Sequence, residues 1–324
     1  MGALGPSNQL RARPRQGRGR TLSVMRDPHP LPGTDFVIDG RRVHVVRHGR
    51  GGRLPLLLLH GLPTSSYLWR DVMRDLEREL PTIAPDLLGM GRSERPRVGG
   101  YDLPAQARRL LGLLDALHLE RVAVAGHVLG GAVAVHLAAL APDRVAGLVL
   151  LGTPLHAETW PVPAVLPLTL PGLGWAYARA AGRMPALARR LLAGGLGATG
   201  VLPPEVLHRY TAPLLTPDGA RGLVRFVQSV DLRTTSALWD RFRTAPPPTL
   251  LVWGTDDTVH SVAYGRRLAD QMPSAGWVPL AGRGHLLPEE CPERVAEELA
   301  GFVAELRGGL APGQGAAQSQ STVQ

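Results

Sequence analysis

Val122-Ala-Val-Ala-Gly-His-Val-Leu-Gly-Gly-Ala132 changes character in its middle. Residues 122–125 read as a strand and residues 129–141 as a helix, and Gly126, Gly130 and Gly131 crowd the corner between them. The same strand-then-helix alternation continues on both sides. Toward the N-terminus, 36–38 and 43–47 are short alternating strands around an Asp39-Gly40 turn, the chemistry of a hairpin. Residues 54–60 form a continuous apolar run, as a strand covered on both faces does. Residues 66–80 read as an amphipathic helix with Leu68, Val72 and Leu76 on one stripe, 81–85 as a strand, and 103–119 as a helix. Toward the C-terminus, strands are expected at 145–151, 247–253 and 276–280, with helices at 261–272 and 292–307.

Eight strands alternating with helices imply an α/β fold with a mostly parallel sheet and right-handed crossovers. The rhythm breaks over residues 156–244, which read as helical and proline-punctuated with no strong strand, an inserted lid. The expected organisation is therefore a core of 31–155 and 245–307, a helical cap at 156–244, and disordered tails at 1–30 and 308–324.

Four short motifs fall at strand ends, where open α/β sheets place ligands. They are His60-Gly-Leu-Pro63, Gly126-His-Val-Leu-Gly-Gly131, Trp253-Gly-Thr-Asp-Asp257 and Gly282-Arg-Gly-His-Leu-Leu-Pro288. Each alone is weak; the four in this order, with the lid between the second and third, are specific. On these motifs the chain resembles the α/β-hydrolase family from about Phe36 to Arg307. His60-Gly-Leu-Pro-Thr-Ser-Ser-Tyr-Leu-Trp-Arg70 is similar to the epoxide hydrolase and haloalkane dehalogenase branch, and Asp86-Leu-Leu-Gly-Met-Gly-Arg-Ser93 to the family's glycine loop.

The resemblance implies an acid at Asp257 and a histidine at His285, in the family order nucleophile, acid, histidine. It places the nucleophile position on Val128, whose side chain has no lone pair to attack with and no proton to lose. Asp and Val codons differ by one base, which favours an ancestor with an aspartate there. A β-branched residue at positive φ costs on the order of 1–3 kcal/mol. The corner has therefore either relaxed or is still forced by its glycines. Asp256 is the alternative partner for His285, and His127 reads as a packed, hydrogen-bonded residue rather than a catalytic one.

The remaining pair could act as a general base on water or on an acidic substrate proton. Main-chain N–H groups of Leu62 and Leu129, within the loop His60, Gly61, Leu62, Pro63 and at the helix start, could form an oxyanion hole. The dehalogenase branch resembles itself in a halide-holding tryptophan and amide at these two places, and here both are leucine. Epoxide hydrolases use lid tyrosines, for which Tyr177 and Tyr210 are the candidates. Trp160 and its apolar neighbours suggest a small apolar substrate. The competing reading is a catalytically silent binding or interaction protein built on the same fold.

Composition narrows the partners. The net charge is +9 and all 36 basic residues are arginine, with no lysine anywhere. That bias, with abundant Ala, Gly and Pro, reads as GC-rich coding rather than selection for phosphate binding, so no nucleic acid is expected. Six arginines and no acid fall in residues 1–26, an arm that could also lie upstream of a start at Met25 rather than Met1. It lacks the apolar core of a secretory signal. The lone Cys291 forms no internal disulfide. The most apolar stretch, near Trp160, is broken by Pro161, Pro163, Pro167 and Pro171, which excludes a membrane span. The expectation is a cytoplasmic monomer or homodimer without cofactor or metal.

Overall fold

The computed structural model describes residues 30–50, 54–193, 202–242, 247–272 and 274–309, with the side chains of 188–190 and 193 outside that description. The expectations for the two tails fall almost wholly outside it. Eight strands form one sheet: β1 (Gly33–Ile38), β2 (Arg41–His48), β3 (Leu56–Leu59), β4 (Thr82–Pro85), β5 (Val122–His127), β6 (Val145–Leu151), β7 (Thr249–Gly254) and β8 (Gly276–Leu280). Their spatial order is β1-β2-β4-β3-β5-β6-β7-β8. The hairpin β1–β2 and the pair β2–β4 are antiparallel, and every other pair is parallel.

Asp39 and Gly40 both take positive φ in the hairpin turn, as Asp-Gly chemistry predicts. Strands β3, β5, β6 and β7 are buried at every residue. A parallel strand flanked by crossover helices has no solvated face, so these strands carry Leu, Val and Ala continuously instead of alternating.

The helices in chain order are α1 (Arg70–Asp75), α2 (Leu103–Ala116), α3 (Leu129–Leu140), α4 (Leu166–Thr169), α5 (Leu173–Arg183), α6 (Pro185–Ala193), α7 (Pro204–Thr211), α8 (Pro217–Ser229), α9 (Leu232–Phe242), α10 (Val262–Gln271), α11 (Leu287–Glu290) and α12 (Pro292–Gly308). Helices α4 to α9 are the insertion between β6 and β7. The single helix expected over 66–80 is instead a 3₁₀ turn, Ser66–Trp69, followed by the short α1. Ser65 caps the turn by accepting from the Tyr67 N–H. Beyond Leu76 the next three side chains, Glu77, Arg78 and Glu79, are exposed, so no apolar face remains to hold the helix against the sheet. Asp102 caps α2 by accepting the Ala105 N–H at 2.8 Å.

Two loops at the C-terminal edge are tied together by buried polar groups. His60 donates from Nδ1 to the Gly61 carbonyl (2.8 Å) and accepts the Leu87 N–H at Nε2 (2.9 Å). The carboxylate of Asp86 accepts N–H bonds from Ser66 and Arg92, at 2.7 and 2.6 Å. These bonds fix the ends of β3 and β4 where the candidate site opens. Among the described residues no helix is long and apolar enough to cross a membrane.

Candidate active site

Val128 sits between β5 and α3 with φ 53° and ψ −120°. The other described non-glycine residues at positive φ are Asp39 and His118, types that tolerate it; a β-branched residue does not. The corner has not relaxed. Val128 donates its N–H to the Leu151 carbonyl at 2.9 Å and accepts from the Gly131 N–H at 3.0 Å. A Cβ placed on Gly130 would stand 2.3 Å from the Leu59 carbonyl oxygen, and one on Gly131 would meet the Thr153 hydroxyl at 2.1 Å. Helix α3 can lie this close to β3 and β6 only without side chains at those positions. The turn is imposed by close packing of backbone, whatever side chain stands at its centre. The isopropyl group is 6% exposed, and a Cβ on Gly61 would lie 2.9 Å from the Val128 Cβ. The His60–Pro63 loop therefore covers the corner directly.

The acid–histidine pair is assembled from the ends of β7 and β8. His285 Nδ1 lies 2.8 Å from Asp257 Oδ2. The other carboxylate oxygen, Oδ1, accepts the N–H groups of Val259 (2.8 Å) and His260 (2.9 Å). Burial pushes the Asp257 carboxyl up, but the His285 charge and hydrogen bond, with the two N–H donors, outweigh it and hold it below the ordinary carboxylate range. The ionised carboxylate makes Nδ1 the donor, which leaves Nε2 of a neutral His285 as the basic nitrogen. His285 makes no other side-chain hydrogen bond among the described residues. Asp256 is turned away and accepts from the Thr255 hydroxyl at 2.9 Å.

His285 is flanked by two other imidazoles. His127 and His260 each stack obliquely on it with ring centroids 5.4 Å away. Burial, reinforced by the proximity of His285, pushes both down to about 3. Both are neutral at physiological pH. His127 donates from Nε2 to the His285 carbonyl at 2.7 Å, so the corner of β5 grips the histidine loop through its backbone.

Glu290 grips the same loop from below. Its carboxylate accepts the N–H groups of Gly284 (2.8 Å) and Leu286 (3.0 Å), the two residues on either side of His285. Its neighbour Glu289 forms a bidentate pair with Arg70 (2.6 and 2.9 Å) and accepts the Tyr210 hydroxyl. Both charged side chains of that pair are only 6% exposed. The Arg70 guanidinium also lies 4.1 Å from the Tyr67 ring centre. Sequence reading missed His260, Glu289 and Glu290. The two glutamates follow His285 closely enough to have been suspected; Glu290 bonds its own loop, whereas the partners of Glu289 lie far away in the chain.

The candidate residues divide into two groups. Val128, Leu129, Gly61, Leu62, Asp257 and His285 come from adjoining strand ends, joined by the contacts above. The Leu62 and Leu129 N–H groups have no protein acceptor among the described residues. His60 is not available to a ligand, because both ring nitrogens are used by backbone partners and burial holds its pKa down. Tyr210 is likewise corrected: it is buried, its hydroxyl is bound to Glu289, and its ring stands edge-on to Tyr67 at 5.6 Å. Tyr177 donates to the Ala164 carbonyl at 3.2 Å. Trp160 lines a cleft of about 910 Å³ within the cap, whose walls include none of Val128, Asp257 and His285. Pro63 follows a cis Leu62–Pro63 bond and lines a small pocket shared with Tyr210. Cys291 is buried and its thiol pushed up to about 12, mainly by burial, so it is no nucleophile. Among the described residues no group of three or more His, Cys, Asp or Glu is placed to hold a metal.

A mostly parallel eight-stranded sheet, a glycine-packed βα corner and an acid–histidine pair on the last two strands define a hydrolase-type scaffold. Residues 55–292 match the α/β-hydrolase fold family, and the chain belongs to it. It is 30% identical over 286 residues to haloalkane dehalogenase 2 of Mycobacterium tuberculosis, covering 84% of this chain and 94% of that one. It is 28% identical to the cis-3-alkyl-4-alkyloxetan-2-one decarboxylase of Shewanella oneidensis, covering 82% and 86%. Among solved structures, haloalkane dehalogenase DbeA from Bradyrhizobium elkani superposes with a TM-score of 0.76 at 25% identity, covering 86% of this chain and all of that one.

Proposed function

We propose that the chain is an enzyme in which His285, oriented by Asp257, acts as a general base without a covalent intermediate. Val128 stands at the corner from which the family's attacking side chain projects, and a hydrocarbon cannot form a bond to carbon there. The observation that carries this reading is the 2.8 Å Asp257–His285 pair, with the far imidazole nitrogen committed to no other group. In this reading Nε2 takes a proton from water or from an acidic carbon of the substrate. For hydrolysis, the hydroxide formed attacks an electrophilic carbon, and the N–H groups of Leu62 and Leu129 receive the negative oxygen. The imidazolium then returns its proton to the leaving group.

The side chains at 128, 129 and 62 are all hydrocarbon, which supports a small apolar substrate. Leucines at 62 and 129 offer a halide no side-chain donor, so dehalogenation is disfavoured despite the dehalogenase relatives. The alkyl-substituted oxetan-2-one in the name of one relative is a neutral, apolar lactone and is the first substrate to test.

Purified protein is screened against lactones, esters, epoxides and haloalkanes, beside His285→Ala and Val128→Asp. The expected result is a parent activity that His285→Ala lowers by about 10²–10⁴-fold. An activity indifferent to His285→Ala overturns the proposal. The valine itself favours a second reading, a ligand-binding protein without turnover. That reading prevails if the parent is inert while Val128→Asp gains hydrolysis.

A further inference from the structure

We propose that the cap cleft is a binding site for a single-chain anionic amphiphile, such as a medium-chain alkyl carboxylate. Its head would sit on Arg221 and Arg225, with its chain along Trp160 and Trp175. The cleft measures about 910 Å³, within the range of small-molecule sites. One wall is α8, where Arg221, Val224, Arg225 and Gln228 fall at i, i+3, i+4 and i+7 and so share a face. The facing wall is hydrocarbon and indole: Trp160 and Pro161 after β6, Pro171 and Gly172 just before α5, and Trp175 within it.

The two walls differ in chemistry, and the ligand must match both. Three arginines, Arg221, Arg225 and Arg233, line the cleft against one acid, Asp231. Arg233 pairs with Asp231 at 3.3 Å, which leaves the α8 cations in excess. Arg225 is exposed and has no ion-pair partner among the described residues. Arg221 meets Asp218 at 2.8 Å, but that carboxylate is 70% exposed, and the Arg221 Nε is buried with no hydrogen-bond partner. The unpaired Arg225 guanidinium, beside an Arg221 whose carboxylate partner is solvent-exposed, favours an acceptor carrying negative charge. Trp175 is 47% exposed, and Leu170 and Leu173, which flank the Pro171–Gly172 wall, are about as open. An alkyl chain laid there would remove this apolar surface from water. A free carboxylate without a chain would leave the indole wall bare, and a neutral alcohol would leave the arginines unmatched.

The site is separate from the His285 chemistry, since none of Val128, Asp257 and His285 lines it. The full chain is titrated, below micelle formation, with decanoate, decanol and acetate, and mixed separately with phosphatidylglycerol vesicles. Tryptophan emission and calorimetry are the readouts. Decanoate is expected to bind one per chain, at least roughly tenfold more tightly than decanol or acetate. Added salt should weaken it. Arg221→Gln with Arg225→Gln should cost decanoate roughly tenfold while leaving decanol unchanged, Arg225→Lys should retain most of the affinity, and Trp175→Ala should weaken decanoate. His285→Ala should bind decanoate like the parent. Circular dichroism confirms that each variant is folded. The proposal is overturned if decanol binds as well as decanoate, if the double arginine variant binds unchanged, or if only vesicles bind.

Discussion

The two halves of the candidate site have fared differently. In the β7–β8 half, Asp257 and His285 keep both their geometry and a chemistry that geometry can serve. In the β5–α3 half the geometry is as tightly held, yet the side chain at its centre is a valine. The difference teaches that the strained corner does not depend on the group it presents. Backbone packing at Gly130 and Gly131 imposes it, as does the run of hydrogen bonds from Leu151 through Val128 to Gly131. A backbone geometry enforced by many contacts does not require any particular side chain at its centre.

Acid should strain both halves at once and gives the largest effect. His127 in the corner and His260 beside the dyad are held down to about 3, and His136 in α3 to about 4, each mainly by burial. Unfolding restores each to the ordinary value of about 6.5, so the unfolded chain binds more protons between these limits. Their stabilising contribution is whole above about pH 6.5 and is lost as pH falls, down to about 4 for His136 and about 3 for His127 and His260, at up to about 1.4 kcal/mol per pH unit for each histidine. Urea midpoints across that window measure it, and a flat profile from pH 7 to 5 would contradict neutral burial of these rings.

Next in size is Glu289→Ala, which leaves Arg70 buried without its bidentate partner and frees the Tyr210 hydroxyl. It should cost about 3–5 kcal/mol in chemical denaturation. Gly130→Ala strikes the other half, forcing a methyl group against the Leu59 carbonyl, and should cost about 2–3 kcal/mol. If Gly130→Ala is neutral, packing does not impose the corner.

The smallest effect is the sharpest test. Val124→Gly in β5 removes a fully buried isopropyl group from ordinary strand backbone and should cost about 3 kcal/mol. Val128→Gly, four residues on, makes the same change where the backbone disfavours valine. Relief of about 1–3 kcal/mol of strain should bring its net cost down to about 0–2 kcal/mol. Equal costs at the two positions would show that Val128 is not strained.

Sequence patterns that depend on neighbours along the chain proved readable. The Asp39-Gly40 turn, the fully apolar β3 and β6, and the glycine corner follow from local periodicity and turn chemistry. The acid hydrogen-bonded to His285 is Asp257, where the resemblance implies one, while Asp256 bonds Thr255. The helix expected over 66–80 came out shorter, and the roles of His60 and Tyr210 were misjudged. For His60 and Tyr210 the deciding partner comes from another segment: Leu87 for His60, Glu289 for Tyr210. Nothing local in the α8 sequence shows its arginine face lying opposite Trp160 and Trp175; the packing of the cap does.

The amino-acid order alone determined the alternating sheet, its insertion and the hydrocarbon at position 128, because strand burial, turn type and residue identity are local properties. Only the three-dimensional packing decided which polar groups are already bonded and which remain open to a ligand. Arg70 and Glu289 are 219 residues apart in the chain and 2.6 Å apart in space. Hydrogen bonds of that kind depend on angles and distances to a few tenths of an ångström, which side-chain periodicity does not encode.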